Sequence, residues 1–498
     1  MLRFYLVILS CILSLSGFPQ SSFEEIRQRH HEAFNRQRER IESEFNRRYK
    51  QINEEYARML EKSWGHFNSV SPTVTPQDNP QPVNPIEYKE GDHQTNPKPI
   101  PYDEVIEPPK PQPQPVPVVP IENRNDPQPV YVAFSFFGTK AKVRFNDKCR
   151  IKLNKLEEST IASAWNQMCE DDHTNLVLDC IEIRNTRKLS DWCYLGMLKQ
   201  LSATIYGKDT NEAVLLTSFV LCQTGYMIRL SLNDSKSKLF LLLASEHFIP
   251  DYNNECFNIG GEMFYSFDGA PESLFACDFG FIGEKKISLC INNEQLLDVQ
   301  PTQSIHRQSQ RYPEMNMNIS SNKNLIDFYS TYPSSIVEVN FMTRWAMYAN
   351  TPMSDYMRKQ LYPKLKSAID GLDELTAANK LLNFVQTGFA YGFDDEVWGC
   401  DRAFFAEETL YYPFSDCEDH SILFTRLVRD LLGLRCVLIY YPGHLASAVE
   451  FKQSNVNGDY VQYDGKKFIL ADATYIGAPI GYTMPGMDNQ TAKLILLN

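Results

Sequence analysis

The sequence of 498 residues lacks several patterns that would assign a function at once. No two cysteines are spaced as C-x-x-C and no H-E-x-x-H occurs, so a zinc site or a thioredoxin-type redox motif has no support. An excess of basic residues is also missing, because 49 Lys and Arg stand against 62 Asp and Glu, for a net charge of −13. Nucleic-acid-binding proteins usually carry a basic face, so DNA and RNA are not expected as partners.

Long apolar runs are equally scarce. The run from Phe4 to Leu15 follows Arg3 and is too short to anchor a chain in a bilayer, a pattern typical of a secretory signal peptide. We therefore assign residues 1–20 to a cleavable signal peptide and expect a secreted or periplasmic protein. No later stretch approaches 18 uncharged apolar residues, so no membrane span is expected in the mature chain. Cys11 lies in an imperfect lipobox, and lipoprotein anchoring through it is not expected.

Cysteine is present in an odd number once the signal peptide is removed. Eleven of the twelve cysteines follow Cys11, so at least one thiol must be unpaired in a monomer. Most of them are expected to be buried as small apolar side chains.

Residues 22–67 are densely charged and carry one stripe of apolar and aromatic residues at helical spacing. This pattern predicts a long helix, and two interpretations stay open. The helix is either a solvated single helix with i,i+4 ion pairs or a coiled-coil-like element for self-association or docking on a partner.

Proline marks the next segment. Residues 70–130 hold 17 of the 29 prolines, and such a chain is expected to form an extended, semi-rigid spacer rather than a domain. This Pro-rich linker would hold the globular part, residues 131–498, away from the amino-terminal helix.

The globular part is predicted to be α+β. Strand-like alternation occurs at 130–152 and 257–299, and residues 343–383 read as helical, with Pro363 as a break between two pieces. A helix over 421–432 ends at Gly433 and is followed by strands at 436–441, 445–451 and 468–473. We divide this part into an accessory region, 131–340, and a catalytic domain, 341–498.

Three residues of the last domain form a candidate catalytic constellation. Cys417 precedes the helix, where free N–H groups and the helix dipole stabilise an anion. His444 stands at the mouth of a strand, and Asp472 ends another strand that could pair with it. A thiol, an imidazole and a carboxylate in this arrangement are the parts of a cysteine nucleophile with its base and orienting group.

These motifs resemble the transglutaminase-like superfamily of papain-related cysteine enzymes. The resemblance rests on Cys417 with the following Ser-Ile-Leu and Leu-Gly-Leu, on Gly-His at 443–444, and on Asp-Ala-Thr at 472–474. It covers roughly residues 372–486 and implies a papain-like or transglutaminase-like fold without a cofactor. It also implies Cys417 as nucleophile, His444 as base and then acid, Asp472 as orienter and, loosely, Gln386 as oxyanion donor.

Departures from the family pattern concern the surroundings of these residues. Ser415 replaces a usual glycine, and Ala473 replaces a usual proline. Glu418 and Asp419 favour the helix start but oppose a thiolate. His420 is a rival base on the same helix, although no strand carboxylate is placed to orient it.

Two functions from different classes follow. One is an exported amide or peptide hydrolase or acyl transferase of protease-like type, acting on a protein or peptide substrate. The other is a non-catalytic module with a vestigial triad that binds a surface polymer or a protein.

An internal similarity also stands out. Aligning Gly225 with Gly433 superposes two apolar helices, and it places Asp209 over Cys417 and Lys236 over His444. Residues 150–270 are therefore either a degenerate transglutaminase-like copy without chemistry or a coincidence of two apolar helices that end in glycine.

Overall fold

The computed structural model describes residues 50–71, 83–89, 96–110, 112–117, 126–170, 173–334, 336–337, 340–453 and 455–498. The predicted signal peptide and most of the predicted charged helix lie outside these ranges. Residues 57–498 form one unit, and residues 50–56 belong to a separate one. Within the described ranges, no helix is long and apolar enough to cross a membrane.

The chain folds into helices and short strands in mixed order. The helices are α1 (50–62), α2 (Glu158–Glu170), α3 (His173–Thr186), α4 (Asp191–Tyr206), α5 (Asn211–Gln223), α6 (Lys323–Tyr329), α7 (Thr343–Asn350), α8 (Asp355–Ile369), α9 (Glu374–Gly388), α10 (Asp394–Val397), α11 (Ala406–Tyr411) and α12 (Cys417–Leu432). The first ten strands are β1 (Trp64–Asn68), β2 (Ile86–Glu87), β3 (Val105–Ile106), β4 (Tyr131–Phe136), β5 (Thr139–Arg144), β6 (Ile228–Asn233), β7 (Leu239–Ala244), β8 (Cys256–Ile259), β9 (Glu262–Tyr265) and β10 (Ser273–Cys277). The others are β11 (Ile305–Gln308), β12 (Asn316–Ile319), β13 (Ala390–Tyr391), β14 (Phe414–Ser415), β15 (Arg435–Tyr441), β16 (His444–Glu450), β17 (Tyr460–Tyr463), β18 (Lys466–Ala471), β19 (Tyr475–Ile476) and β20 (Lys493–Leu496).

Two six-stranded sheets carry most of the strand structure. The first, called here the N-sheet, has the order β1-β10-β6-β7-β9-β8, and the second, the C-sheet, has the order β17-β18-β16-β15-β20-β3. Helices and antiparallel strands in one unit confirm the α+β class.

The C-sheet positions the candidate site. β15 and β16 form a two-residue hairpin in which Tyr441 pairs with His444, and Gly443 in the turn has a positive φ of 78°. β18 then pairs with β16 from Ser447 to Glu450, as expected from the sequence, so the end of β18 lies beside the start of β16. Inward-facing residues of these strands form a buried core that includes Val437, Ile439, Ala446, Ala448, Phe468, Leu470 and Leu494.

Helix α12 supplies the other half of this arrangement. Its apolar residues up to Val428 are buried, and Gly433 ends it in the left-handed conformation, with φ of 64°, as the sequence predicts. Ser421 Oγ donates a hydrogen bond to the Leu445 carbonyl at 2.8 Å, which ties the first turn of α12 to the start of β16.

The proline-rich segment differs from its prediction as a spacer. Its short strands β2 and β3 pair with β19 and β20, and Ile100 is buried in the core of the C-sheet. Further along, the Pro115 carbonyl accepts a hydrogen bond from the buried Arg184. Proline lacks an N–H but keeps its carbonyl, so a proline-rich chain can lie against a domain through carbonyls and scattered apolar residues.

Two other predicted boundaries need correction. Residues 64–68, placed at the end of the long helix, are strand β1, because Trp64 to Asn68 pair with β10. Pro363 does not break a helix; it lies inside α8, and the chain turns at Gly371, whose φ is positive.

Burial of the cysteines follows the expectation for small apolar side chains. Among the eleven in the described residues, Cys169, Cys290 and Cys400 are the ones not fully buried, and Cys400 is exposed.

Candidate active site

Cys417 is the first residue of α12, and a network of backbone hydrogen bonds fixes that helix start. The carboxylate of Asp419 accepts the N–H of Asp416 at 3.3 Å and the N–H of Phe404 at 2.8 Å. Asp419 therefore joins the helix start to the preceding loop. Asp419 thus stabilises the start of α12, as expected from its place in the sequence.

The thiol of Cys417 is enclosed and bonded on several sides. The residue is 6% exposed, and its thiol donates to Glu418 Oε2 at 3.2 Å and receives the N–H of Leu445. The Tyr391 hydroxyl is a further hydrogen-bond partner. Burial raises the pKa of the Cys417 thiol well above its ordinary value, and the charges of Glu418 and Asp416 raise it further, although the Leu445 N–H opposes them. The thiol is thus protonated in this state.

His444 and Asp472 form a buried pair. His444 directly precedes Leu445, whose N–H contacts the Cys417 thiol. His444 Nε2 lies 2.9 Å from Asp472 Oδ2, and both residues are at most 3% exposed. Burial acts to raise the pKa of Asp472, but the neighbouring His444 and the bonds from Thr474 together lower it below its ordinary value. An ionised carboxylate only accepts hydrogen bonds, so Nε2 carries the proton and Nδ1 is the basic nitrogen.

The Nδ1 atom of His444 is buried without a hydrogen-bond partner among the described residues. Leu445, the next residue, donates its N–H to the Cys417 thiol, so His444 directly precedes a residue that contacts the thiol. Of the three residues chosen from the sequence, His444 and Asp472 are in direct contact, Cys417 contacts the residue that follows His444, and Nδ1 of His444 is left unbonded among the described residues.

The second carboxylate oxygen of Asp472 is fully engaged. Oδ1 accepts the N–H and hydroxyl of Thr474 at 2.9 and 2.8 Å and the N–H of Tyr475 at 3.2 Å. This turn holds the carboxylate in one orientation, and Thr474 is a site residue that the sequence did not single out for a role.

Gln386 has a different set of partners from those of an oxyanion donor. Its Nε2 donates to the carbonyls of Asp472, Tyr475 and Ala478 at 2.8–3.1 Å, and its Oε1 accepts the N–H of Gly477 at 3.1 Å. Both polar groups of the amide are therefore committed to the loop after β18. Gln386 therefore holds this loop in position, and its N–H groups are not available to an oxyanion as the sequence had suggested.

His420 does not compete with His444. Its Nε2 lies 3.0 Å from Ser415 Oγ, its ring packs near Phe389 and Tyr391, and burial lowers its pKa to about 4. A neutral, enclosed imidazole bonded to a hydroxyl is a packing residue of the helix start.

Carboxylates crowd the start of α12. Asp394, Asp416 and Asp419 are buried and offer oxygens within 4.8 Å of one another. Burial raises the pKa of Asp394 to about 8, and the charge of Glu418 adds to the rise. Such oxygens are the donors that hard divalent cations take, and they also disfavour a second negative charge on the adjacent sulfur.

Comparisons with known proteins give no relative for this chain. No family model, no curated protein and no solved structure matches it.

Proposed function

We propose that the chain is a cysteine-dependent amide or peptide hydrolase or acyl transferase of transglutaminase-like type, exported by its signal peptide. The observation that carries the proposal is the buried His444–Asp472 bond with Nδ1 left unpaired, where the next residue, Leu445, contacts the Cys417 thiol at a helix start. The helix that begins with the nucleophile and packs on an antiparallel sheet supports the papain-like form of the fold.

The chemistry begins from the neutral thiol. His444 Nδ1 takes the thiol proton as the sulfur attacks the substrate carbonyl carbon, and Asp472 stabilises the imidazolium that forms. The N–H of Cys417, at a helix amino terminus, and the Tyr391 hydroxyl are the groups suited to receive the oxyanion.

Collapse of the tetrahedral intermediate breaks the C–N bond. The imidazolium returns its proton to the leaving amine, and a thioester remains on Cys417. Water then gives a carboxylic acid, or a second amine gives a new amide, with His444 accepting the proton of either nucleophile. No step requires a cofactor.

A non-catalytic module is the second candidate, and one observation favours it. Cys417 is 6% exposed and its thiol donates to Glu418, an arrangement that suits a structural cysteine as well as a closed enzyme. The body would then bind a surface polymer or a protein without reacting with it.

A mixed peptide pool separates the two functions because it offers many candidate substrates at once. The full chain and its Cys417→Ala variant are incubated with tryptic peptides of casein and serum albumin, and the products are identified by mass spectrometry. New peptide termini would indicate peptidase action, and conversion of Gln to Glu would indicate side-chain amide hydrolysis. Products formed equally by Cys417→Ala would refute the proposal, and so would a complete lack of products from the parent chain.

A further inference from the structure

The N-sheet and the C-sheet have the same strand order relative to the chain. In each, a hairpin follows a buried helix: β6–β7 follows α5, and β15–β16 follows α12. In the N-sheet, the next hairpin, β8–β9, pairs with β7 through β9, and β10 then pairs antiparallel with β6. In the C-sheet, the hairpin β17–β18 pairs with β16 through β18, and β20 pairs antiparallel with β15. Five strands in matching order after a matching helix are difficult to ascribe to chance. The sixth strand, β1 or β3, precedes the helix, and it is antiparallel to β10 in the N-sheet but parallel to β20 in the C-sheet.

Single residues correspond as well. Asn211, the first residue of α5, accepts the N–H of Leu239 at 2.9 Å, just as Cys417, the first residue of α12, accepts the N–H of Leu445. Lys238 therefore takes the place of His444. Ser266, directly after β9, takes the place of Asp472 after β18.

This correspondence differs by two residues from the one predicted from the glycines. α5 has 13 residues and α12 has 16, and Gly225 lies two residues beyond α5 whereas Gly433 directly follows α12, so aligning the two glycines puts Asp209, rather than Asn211, over Cys417. An amide, an amine and a hydroxyl in the three positions cannot support thioester chemistry.

A cleft nevertheless persists at this place. A cavity of about 290 Å³ lies between α4, α5 and β7, and its lining includes Lys199, Lys208, Val214, Lys238 and Leu241. Lys199 of α4 reaches Asp268, beyond the end of β9, at 2.7 Å, much as Gln386 of α9 reaches the loop after β18. We call this cavity the second cleft.

One wall of the second cleft is a strand edge that is unpaired in the described part of the chain, although its residues are at most 5% exposed. β9 pairs with β7 only at Leu243 and Ala244, so Leu239–Leu242 have no pairing strand on that side in the described part of the chain. Asn233 donates to the Lys238 carbonyl and Ala244 donates to Met227, so even-numbered residues of β7 face β6. The backbone N–H and carbonyl of Leu241 therefore face the cleft, where an extended chain can add as a strand.

The charge of the cleft indicates what such a chain carries. Lys199 is paired with Asp268, whereas Lys208 and Lys238 have no carboxylate within 4 Å among the described residues. Asp209 also lines the cleft, so its three lysines and two aspartates leave one positive charge in excess. The apolar part of the lining includes Val214, Leu239 and Leu241. Two unpaired ammonium groups beside an apolar strand edge match acidic side chains that alternate with apolar ones.

We propose that residues 155–290 are a non-catalytic copy of the fold and that the second cleft binds an extended acidic polypeptide. The inference rests on the proposed function in one respect: the bound polypeptide is the substrate whose amide reaches Cys417 of the same chain. The second cleft then selects acidic segments, while the candidate active site carries out the reaction.

The test measures binding without turnover. A fluorescein-labelled twelve-residue peptide of alternating Glu and Val is titrated with the full-length Cys417→Ala chain, and fluorescence anisotropy is recorded. The same peptide with Lys in place of Glu controls for sequence-independent adhesion. Binding of the acidic peptide is expected to weaken by about tenfold or more in Lys208→Glu/Lys238→Glu and to vanish as salt rises.

Two further variants complete the design. Lys364→Glu/Lys366→Glu changes the same number of charges on exposed positions of α8 and should bind the acidic peptide as the parent does. Val214→Trp fills the cleft without changing charge and should also abolish binding, which covers the case in which the charge reversal unfolds the protein. Equal binding of both peptides, an equal loss in the α8 variant, or unchanged binding in both cleft variants would overturn the inference. Because the assay needs no reaction, it stays informative if the chain proves catalytically inert.

Discussion

At the residue scale, the least expected feature is the protonated state of Cys417. A thiol at a helix start is favoured as an anion, yet burial and the carboxylates of Glu418 and Asp416 raise its pKa well above the ordinary value. In the proposed mechanism the thiol proton would therefore leave during attack rather than before it, and His444 would have to accept it at that moment.

This thiol state predicts slow alkylation. At pH 7, iodoacetamide should label the exposed Cys400 faster than Cys417, as measured by mass spectrometry of the two peptides. Glu418→Gln should accelerate labelling of Cys417, because it removes the nearest negative charge. Glu396→Gln, an exposed change on α10, should leave both rates unchanged. Faster labelling of Cys417 than of Cys400 in the parent chain would show that the thiolate is already formed.

The orientation of His444 depends on one carboxylate. Asp472→Asn should lower the rate of amide turnover by about 10⁴-fold, because an amide donor at that place favours the wrong imidazole tautomer. Asp459→Asn is the matched control, since Asp459 is equally buried but accepts from Lys98 N–H and not from a histidine. An unchanged rate in Asp472→Asn would assign the orienting role to another group.

At the scale of elements, α11 contains a pH-sensitive buried acid. Burial raises the pKa of Glu407 from 4.5 to about 7, against hydrogen bonds from the N–H and hydroxyl of Ser354. The folded state therefore binds a proton that the unfolded state releases, and this group lowers the free energy of unfolding as pH rises from 4.5 to 7. Urea unfolding of Glu407→Gln should show a weaker decline over that interval than the parent. An identical pH profile would mean that Glu407 stays ionised when buried.

The amino-terminal strands are predicted to be necessary for the fold. Deleting residues 22–130 removes β1 from the edge of the N-sheet, β3 from the edge of the C-sheet, and the buried Ile100. We expect this chain to be insoluble or to melt at a much lower temperature, contrary to the spacer expected from the proline content. Deleting only residues 22–49 keeps every described strand and should preserve the melting temperature. A folded 131–498 fragment with the parent's stability would restore the spacer interpretation.

At the scale of the whole molecule, the parts that could be predicted are those encoded locally. The α+β class, the helix ending at Gly433 and the pairing of β16 with β18 follow from periodicity and turn residues within short windows. His444 and Asp472 stand at the ends of such elements, so their contact could be expected from the pairing of the strands.

What the sequence did not reveal depends on partners far along the chain. Strands β2 and β3 have two residues each and no periodicity of their own, so their pairing with β19 and β20 exists only in the folded body. The role of Gln386 likewise depends on carbonyls about 90 residues away. The equivalence of Asn211 with Cys417 required the two sheets, because helices of unequal length misalign when only their glycines are compared.

The central claim is that Cys417 carries the acyl group of an amide substrate. The most direct measurement is to quench the full chain in acid during turnover of fluorescein-labelled casein and to map the fluorescence to a peptide. The account predicts a fluorescent adduct on the peptide that contains Cys417, released by hydroxylamine as a thioester is and absent from Cys417→Ala. Turnover of the casein with Cys417 unmodified and activity retained in Cys417→Ala would contradict the account.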